Sequence, residues 1–147
     1  MKQITVGIKT GGEDAQIPVY KTHRSSGADV YSAEDFVLRP GERRMIHTGV
    51  YLEIPDGYEV QVRSRSGLAL NYGIIVLNSP GTIDSDYQGE CNVILMNAGQ
   101  DIWACKKGER IAQFVFAPVV RGMFQRMLKF SKETERGAGG FGHTGMK

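Results

Sequence analysis

Apolar residues occupy every second position in three stretches, Ile4-Thr5-Val6-Gly7-Ile8, Val50-Tyr51-Leu52-Glu53-Ile54 and Tyr58-Glu59-Val60-Gln61-Val62. Side chains of an extended strand point alternately to opposite faces, so this period predicts strands with one buried and one solvated face. Two denser runs, Val93-Ile94-Leu95-Met96 and Phe114-Val115-Phe116, predict strands covered on both faces. Turn formers separate the runs at Gly11-Gly12, Pro40-Gly41, Pro55-Asp56-Gly57, Ser79-Pro80-Gly81, Asn97-Ala98-Gly99 and Lys106-Lys107-Gly108, at intervals that suit antiparallel sheets. Only Ser66 to Asn71, opened by Ser66 as an N-cap and followed by Tyr72-Gly73, reads as a short helix. The pattern predicts an all-β sandwich or barrel of jelly-roll type.

Composition narrows the choice of partners. A chain of 147 residues supports one domain, and 18 Lys+Arg against 16 Asp+Glu leave a net charge of only +2. That is too little for the broad basic face that non-specific nucleic-acid binding needs, so no nucleic-acid partner is expected and any anion site must be local. No apolar run approaches the roughly 18 residues that cross a bilayer, and no membrane partner is expected. The start, Met1-Lys2-Gln3-Ile4-Thr5-Val6, lacks the apolar segment of a secretory signal. The expected location is therefore intracellular: cytoplasmic, or in a eukaryote also nuclear. Cys91 and Cys105 lack metal-ligand spacing and His23, His47 and His143 are scattered, which predicts reduced thiols and no transition-metal site built by the chain.

Five segments carry residues suited to chemistry. Asp29, within Gly27-Ala28-Asp29-Val30-Tyr31-Ser32-Ala33, could cap a turn, pair with an arginine or orient water on a metal. Arg65-Ser66-Gly67 brings a guanidinium, a hydroxyl and unpaired backbone N–H groups to the start of the predicted helix, where an anion could sit. Gly81 to Glu90 concentrates Asp84, Asp86, Glu90 and Tyr87 between two predicted strands; taken alone, it also fits a solvated hairpin tip. Gly108-Glu109-Arg110-Ile111-Ala112-Gln113 reads as a turn entering a buried strand. The end of the chain, Arg136 to Gly145, is glycine-rich and unable to pack a core. It nevertheless carries Arg136 and Phe141, a phosphate-binding fork and a stacking ring, which suits a lid over a nucleotide. Neither a GxxxxGK[ST] phosphate loop nor a strand-linked GxGxxG dinucleotide turn occurs, which argues against the common α/β nucleotide folds, and there is no GxSxG elbow.

In this order the five segments resemble the five motifs of the trimeric deoxyuridine triphosphatase (dUTPase) family, and the resemblance runs from about Ile17 to Gly145. It implies a β jelly roll with one short helix and a flexible glycine-rich C-terminal arm: a catalytic core over 1–130, and an arm over 131–147 that closes on the active site of a neighbouring subunit. It also implies a homotrimer with shared active sites and hydrolysis of dUTP to dUMP and pyrophosphate. The product would feed thymidylate synthesis and the reaction would limit uracil in DNA. Mg²⁺ would be held mainly by the substrate phosphates.

Carried over position by position, the resemblance makes Asp84 the general base for the attacking water and leaves Asp86 without a defined role. Tyr87 would pack against deoxyribose and leave no room for a 2′-hydroxyl. Asn78 and the backbone of Gly81, Thr82 and Ile83 would read uracil. Arg65, Ser66, Gly67 and Gln113 would contact the phosphate chain, and Asp29 would meet Mg²⁺ through water. From the arm, Arg136, Gly142, His143 and Thr144 would lie at the phosphates and Phe141 would stack on uracil. Arg110 would either assist or pair with an acidic neighbour.

Two positions depart from the family's common pattern. Ser64 stands where proline is frequent, and His143 replaces a serine of the arm. The related dCTP deaminases need a glutamate where this chain aligns Ile94, whose side chain cannot shuttle protons, so deamination is not expected. A non-catalytic nucleotide sensor on the same fold is the other reading, and Asp84 speaks against it.

Overall fold

The computed structural model describes residues 2–13 and 15–145, and the remaining positions, including the first residue of the expected core and the last two of the expected arm, lie outside them. The described residues form eleven strands and one short helix. Four antiparallel sheets share the core. The largest has the order β2 (Ala28–Tyr31), β11 (Arg110–Pro118), β6 (Tyr58–Arg63), β8 (Gly81–Ile83). A second has the order β4 (Arg43–Ile46), β9 (Val93–Asn97), β7 (Ile74–Val76), and two-stranded pairs join β1 (Gly7–Thr10) to β5 (Val50–Glu53) and β3 (Phe36–Leu38) to β10 (Trp103–Cys105). This is the jelly-roll arrangement that the hydrophobic pattern predicts. Among the described residues, no helix is long and apolar enough to cross a membrane.

One cluster forms the core: Val30, Leu38, Ile46, Val50, Val60, Val76, Val93 and Leu95 are fully enclosed, and Phe114 sits among them. Removing each such side chain from water stabilises the fold by roughly 1.5–3 kcal/mol before conformational entropy is set against it. One polar side chain is buried with them at no loss of hydrogen bonding. Asn97 donates to the carbonyls of Leu38 and Asp101 and accepts from the Gly99 N–H, which ties together the segments that enclose that end of the core.

The alternating runs at Val50 and Tyr58 become β5 and β6 at nearly the expected positions, with Leu52, Val60 and Val62 turned inward. Three local expectations are corrected. The first strand begins only at Gly7, and Ile8, opposite Leu52 at the rim of a two-stranded sheet, stays 39% exposed. β9 is not covered on both faces: Val93 and Leu95 are buried, whereas Ile94, paired with Met45 of β4, faces outward. Ser66 is not the N-cap of the helix α1 (Ser66–Tyr72). Arg65 holds that place in extended conformation, with no side-chain cap. The helix stops at Gly73, whose N–H returns to the Ala69 carbonyl.

β11 ends at Pro118, and residues 119–145 contain no strand or helix. Met123, Phe124, Leu128 and Phe130 in this stretch are almost wholly exposed.

Candidate active site

Asp29 is the centre of the first group of site residues. It lies on β2 in register with Gln113 of β11 and is only 3% exposed. A carboxylate so enclosed needs donors, and three surround it: Arg110 Nη1 at 3.0 Å from Oδ2, Gln113 Nε2 at 3.3 Å from Oδ1 and Arg65 Nε at 3.5 Å from Oδ1. The pairing of β11 with β2 slips between Arg110 and Ala112, a bulge that brings Arg110 round to Asp29. Of the two roles open to Arg110, the ion pair with an acidic neighbour is the one observed. Arg65 also donates from Nη1 to the Arg110 carbonyl, 3.1 Å away, so the two arginines and the aspartate form one braced unit. Gly27 permits the close approach of Gln113, since a Cβ there would come 3.0 Å from the glutamine side-chain oxygen.

This unit borders a cleft of about 510 Å³ lined by Tyr31, Arg65, Leu68, Tyr72, Trp103 and Arg110, among others. Ser66 and Gly67 stand exposed at the adjoining start of α1. Ser64, where proline is common in the family, accepts a hydrogen bond from the Val76 N–H at 2.8 Å and thereby fastens the loop before Arg65 to β7. A proline would have no such acceptor.

The second group sits on the hairpin after β8. Gly81, Thr82 and Ile83 pair with Val62, Gln61 and Val60 of β6, which fixes where the strand ends. The chain turns at Asp84, whose carbonyl accepts the Tyr87 N–H at 3.1 Å. Asp84, Asp86 and Tyr87 are exposed on this turn, as is Asn78 before the strand. Among the described residues the Asp84 carboxylate has no hydrogen-bond or ion-pair partner, which leaves its lone pairs to solvent. Tyr87 folds back over Gly89, where a Cβ would collide with the phenol, and its hydroxyl donates to the Glu90 carbonyl at 3.0 Å.

Thr82, Ile83, Asp84 and Tyr87 border a cleft of about 230 Å³ together with Met45 and Ile94. Neither of the last two is a binding residue on the sequence reading. Ile94 left a faint signal, an apolar residue at the solvent phase of a strand, while Met45 left none. The two clefts have no lining residue in common. A single chain thus presents the cationic group and the Asp84 carboxylate as separate half-sites.

The arm residues join neither group within the chain. Arg136 Nε donates to the Gly139 carbonyl at 2.9 Å, Phe141 is fully exposed at φ 50°, and Gly142, His143 and Thr144 lie in exposed turns.

Both Asp29 oxygens already face arginine or glutamine donors, and among the described residues no group of three or more His, Cys, Asp or Glu could hold a metal ion. A hard divalent cation takes several oxygen ligands, and the described residues gather no such set of acids around Asp29.

The family model for dUTPase matches residues 13–145. The deoxyuridine 5′-triphosphate nucleotidohydrolase of Nautilia profundicola is 54% identical over 138 residues, 94% of this chain and 96% of that one. A solved structure of the Staphylococcus bacteriophage 80alpha dUTPase with the dUTP analogue dUPNHPP superposes with a TM-score of 0.91 at 28% identity, covering 97% of this chain and 99% of that one. The dUTPase of phage phi11 of S. aureus, reported with a coordinated structural Mg(II) ion, shares the fold at 23% identity and a TM-score of 0.81, covering 88% of this chain and 100% of that one. The chain belongs to the dUTPase family.

Proposed function

We propose that the protein hydrolyses dUTP to dUMP and pyrophosphate, with Asp84 as the general base. The observation that carries this reading is Asp84 itself, an unpartnered carboxylate at a fixed turn, in a cleft beside Tyr87. Water is a poor nucleophile at neutral pH, and a positioned carboxylate both orients it and accepts its proton. The water oxygen attacks the α-phosphorus, its proton passes to Asp84, and the bond from the α-phosphorus to the bridging oxygen breaks as pyrophosphate leaves.

Selection of the substrate falls to the hairpin. The backbone of residues 81–83, with Asn78, offers donors and acceptors to uracil. The amino group of cytosine would leave buried polar groups unmatched, and the methyl group of thymine would collide. Tyr87 closes the space that a 2′-hydroxyl would need. Arg65, Ser66 and Gln113 serve the phosphate chain, with Asp29 holding Arg65 in place, and Arg136, Gly142, His143 and Thr144 of an arm complete the clamp while Phe141 covers the base. A donor aimed at charge that develops in the transition state is worth about 3 kcal/mol. Mg²⁺ bound to the triphosphate would neutralise part of its charge.

The protein acts as a homotrimer in this proposal. Support comes from two half-sites that share no lining residue, and from a strand-free C-terminal stretch in which Phe124 and Leu128, before the arm, and Phe141, within it, are fully exposed. A neighbouring subunit supplies what each half-site lacks and covers those apolar side chains.

The test is a panel of dUTP, dTTP, dCTP and UTP assayed for pyrophosphate, monophosphate and ammonia. Turnover of dUTP alone, with solvent ¹⁸O appearing in dUMP, is the expected result. Label found only in pyrophosphate would refute attack at the α-phosphorus. Binding of dUTP without turnover would establish a sensor, and ammonia from dCTP would restore deamination despite Ile94 in the Asp84 cleft.

A further inference from the structure

The hairpin that carries Asp84 and Tyr87 is clasped at its base by the turn between β4 and β5. Thr48 Oγ1 donates to the Cys91 carbonyl at 2.8 Å and the Cys91 N–H donates to the Val50 carbonyl at 2.8 Å. Glu90 lies between this clasp and the hairpin and makes contacts in both directions. Its side chain reaches back to the turn, with Oε1 accepting the Gly49 N–H at 2.8 Å and Oε2 3.0 Å from His47 Nδ1. Its backbone carbonyl accepts the Tyr87 hydroxyl at 3.0 Å. The path from His47 to the ring that would face deoxyribose therefore runs through one residue.

We propose that His47 is a positioning residue for the nucleotide: by holding the Glu90 side chain it fixes the Glu90 carbonyl, and with it the Tyr87 ring, in the geometry that receives the sugar. This rests on the dUTP-hydrolase reading above and adds to it a residue outside its five motifs. Tyr87 and Glu90 both line the cleft that contains Asp84, whereas His47 does not, so His47 acts at second hand. Its influence falls on nucleotide binding more than on the chemical step, because the tie ends at Tyr87 and not at the Asp84 carboxylate.

The pair titrates in a way that gives the role a signature. The Glu90 hydrogen bond and charge hold His47 above its ordinary value of 6.5; Glu34 adds to the effect, while partial burial and Arg44 oppose it. Burial pushes the Glu90 carboxyl up, but the hydrogen bonds from His47 and Gly49, with the His47 charge, outweigh it and hold the group below its ordinary value of 4.5. The His47 contribution is complete below 6.5 and fades as pH rises through the raised value. The Glu90 contribution is complete above 4.5 and fades as pH falls through the lowered one. The ionic tie is thus fully made between these limits. Above them the neutral imidazole can still donate a hydrogen bond, without the charge. Because half of the His47 side chain is exposed, solvent screens the pair and its effect is modest.

The experiment compares KM and kcat for dUTP in the unmodified protein, His47→Gln and His47→Lys from about pH 6 to pH 9. Taking the ratio of KM between His47→Gln and the unmodified protein cancels titrations common to both, including that of the triphosphate. The expected ratio is about two- to fivefold at the acid end, falling toward one at the alkaline end, with kcat unchanged. His47→Lys keeps a cation across the range and should hold the low KM to the alkaline limit. Glu90→Gln removes the same ionic pair and should reproduce both the loss seen in His47→Gln and its decline toward the alkaline end, which provides a second variant should His47→Gln fold poorly. A ratio that stays at one, or that is constant across the range, overturns the proposal, as does a change confined to kcat. If the unmodified protein fails to hydrolyse dUTP at all, it is the functional reading that fails, a result distinct from superimposable pH profiles in an active enzyme.

Discussion

Arg110 Nη1 stands 3.0 Å from Asp29 Oδ2 across a strand pair whose register slips just where Arg110 enters it. Without that slip the arginine would follow the regular pleat. With it, a nearly buried carboxylate gains the donor it needs, and Arg65 is held against the same acid. Asp29 in this arrangement is a brace for two guanidinium groups.

Asp29→Asn should therefore damage two properties together. The amide replaces a charged acceptor with one oxygen and an NH₂ that confronts arginine donors, which should cost about 1–3 kcal/mol of stability. The protein should also bind dUTP more weakly because Arg65 loses its anchor. Denaturant melts and calorimetric titration with dUPNHPP measure the two effects. Full stability with unchanged affinity would show that the brace is unimportant.

Asp84→Asn separates chemistry from binding. Volume hardly changes and Asp84 braces no neighbour, so folding and affinity for dUTP should persist. Turnover should fall by about 10²–10⁴-fold, the contribution of general-base catalysis. Steady-state pyrophosphate release alongside equilibrium binding measures this, and a variant that retains normal kcat would remove Asp84 from the mechanism.

Deletion of residues 136–147 should leave the core intact, because the described part of this segment packs against none of the buried cluster. Catalytic efficiency should drop by at least about tenfold through loss of donors aimed at the phosphates, each typically worth more than that alone. Thermal melting checks the first expectation and kcat/KM for dUTP the second.

Cys91 and Cys105 are both free and buried. Burial pushes the Cys91 thiol up to about 11, and burial together with Glu109 pushes Cys105 up to about 12. The thiolate is the reactive form, so neither should react appreciably with a disulfide reagent in the folded protein at about pH 8, and both should react after denaturation. Rapid stoichiometric labelling of the native protein would contradict this.

Much of the molecule was legible in the sequence, for a reason that differs between fold and site. Alternation located β5 and β6 because strand side chains have a period of two, and the turn residues between the runs divided the chain into short strands. The same reasoning misjudged β9. An apolar run signals burial from water but does not say by what, and Ile94 faces a cleft and not the core. It also placed a cap on Ser66, where local chemistry favoured one but the extended Arg65 backbone precedes the helix.

The sequence by itself determined the inventory: an all-β chain of small net charge, with one carboxylate turn after Gly81, one Arg-Ser-Gly segment and one glycine-rich arm. These are local properties, set by side-chain chemistry and near-neighbour spacing. Only the tertiary structure decided that Asp29 is enclosed by Arg65, Arg110 and Gln113, that Asp84 and the arginines open onto different clefts, and that His47 reaches Tyr87 through Glu90. Each of these joins residues far apart in the chain through strand register and a bulge, and register depends on how the whole set of strands closes over one core, which no short window of sequence contains.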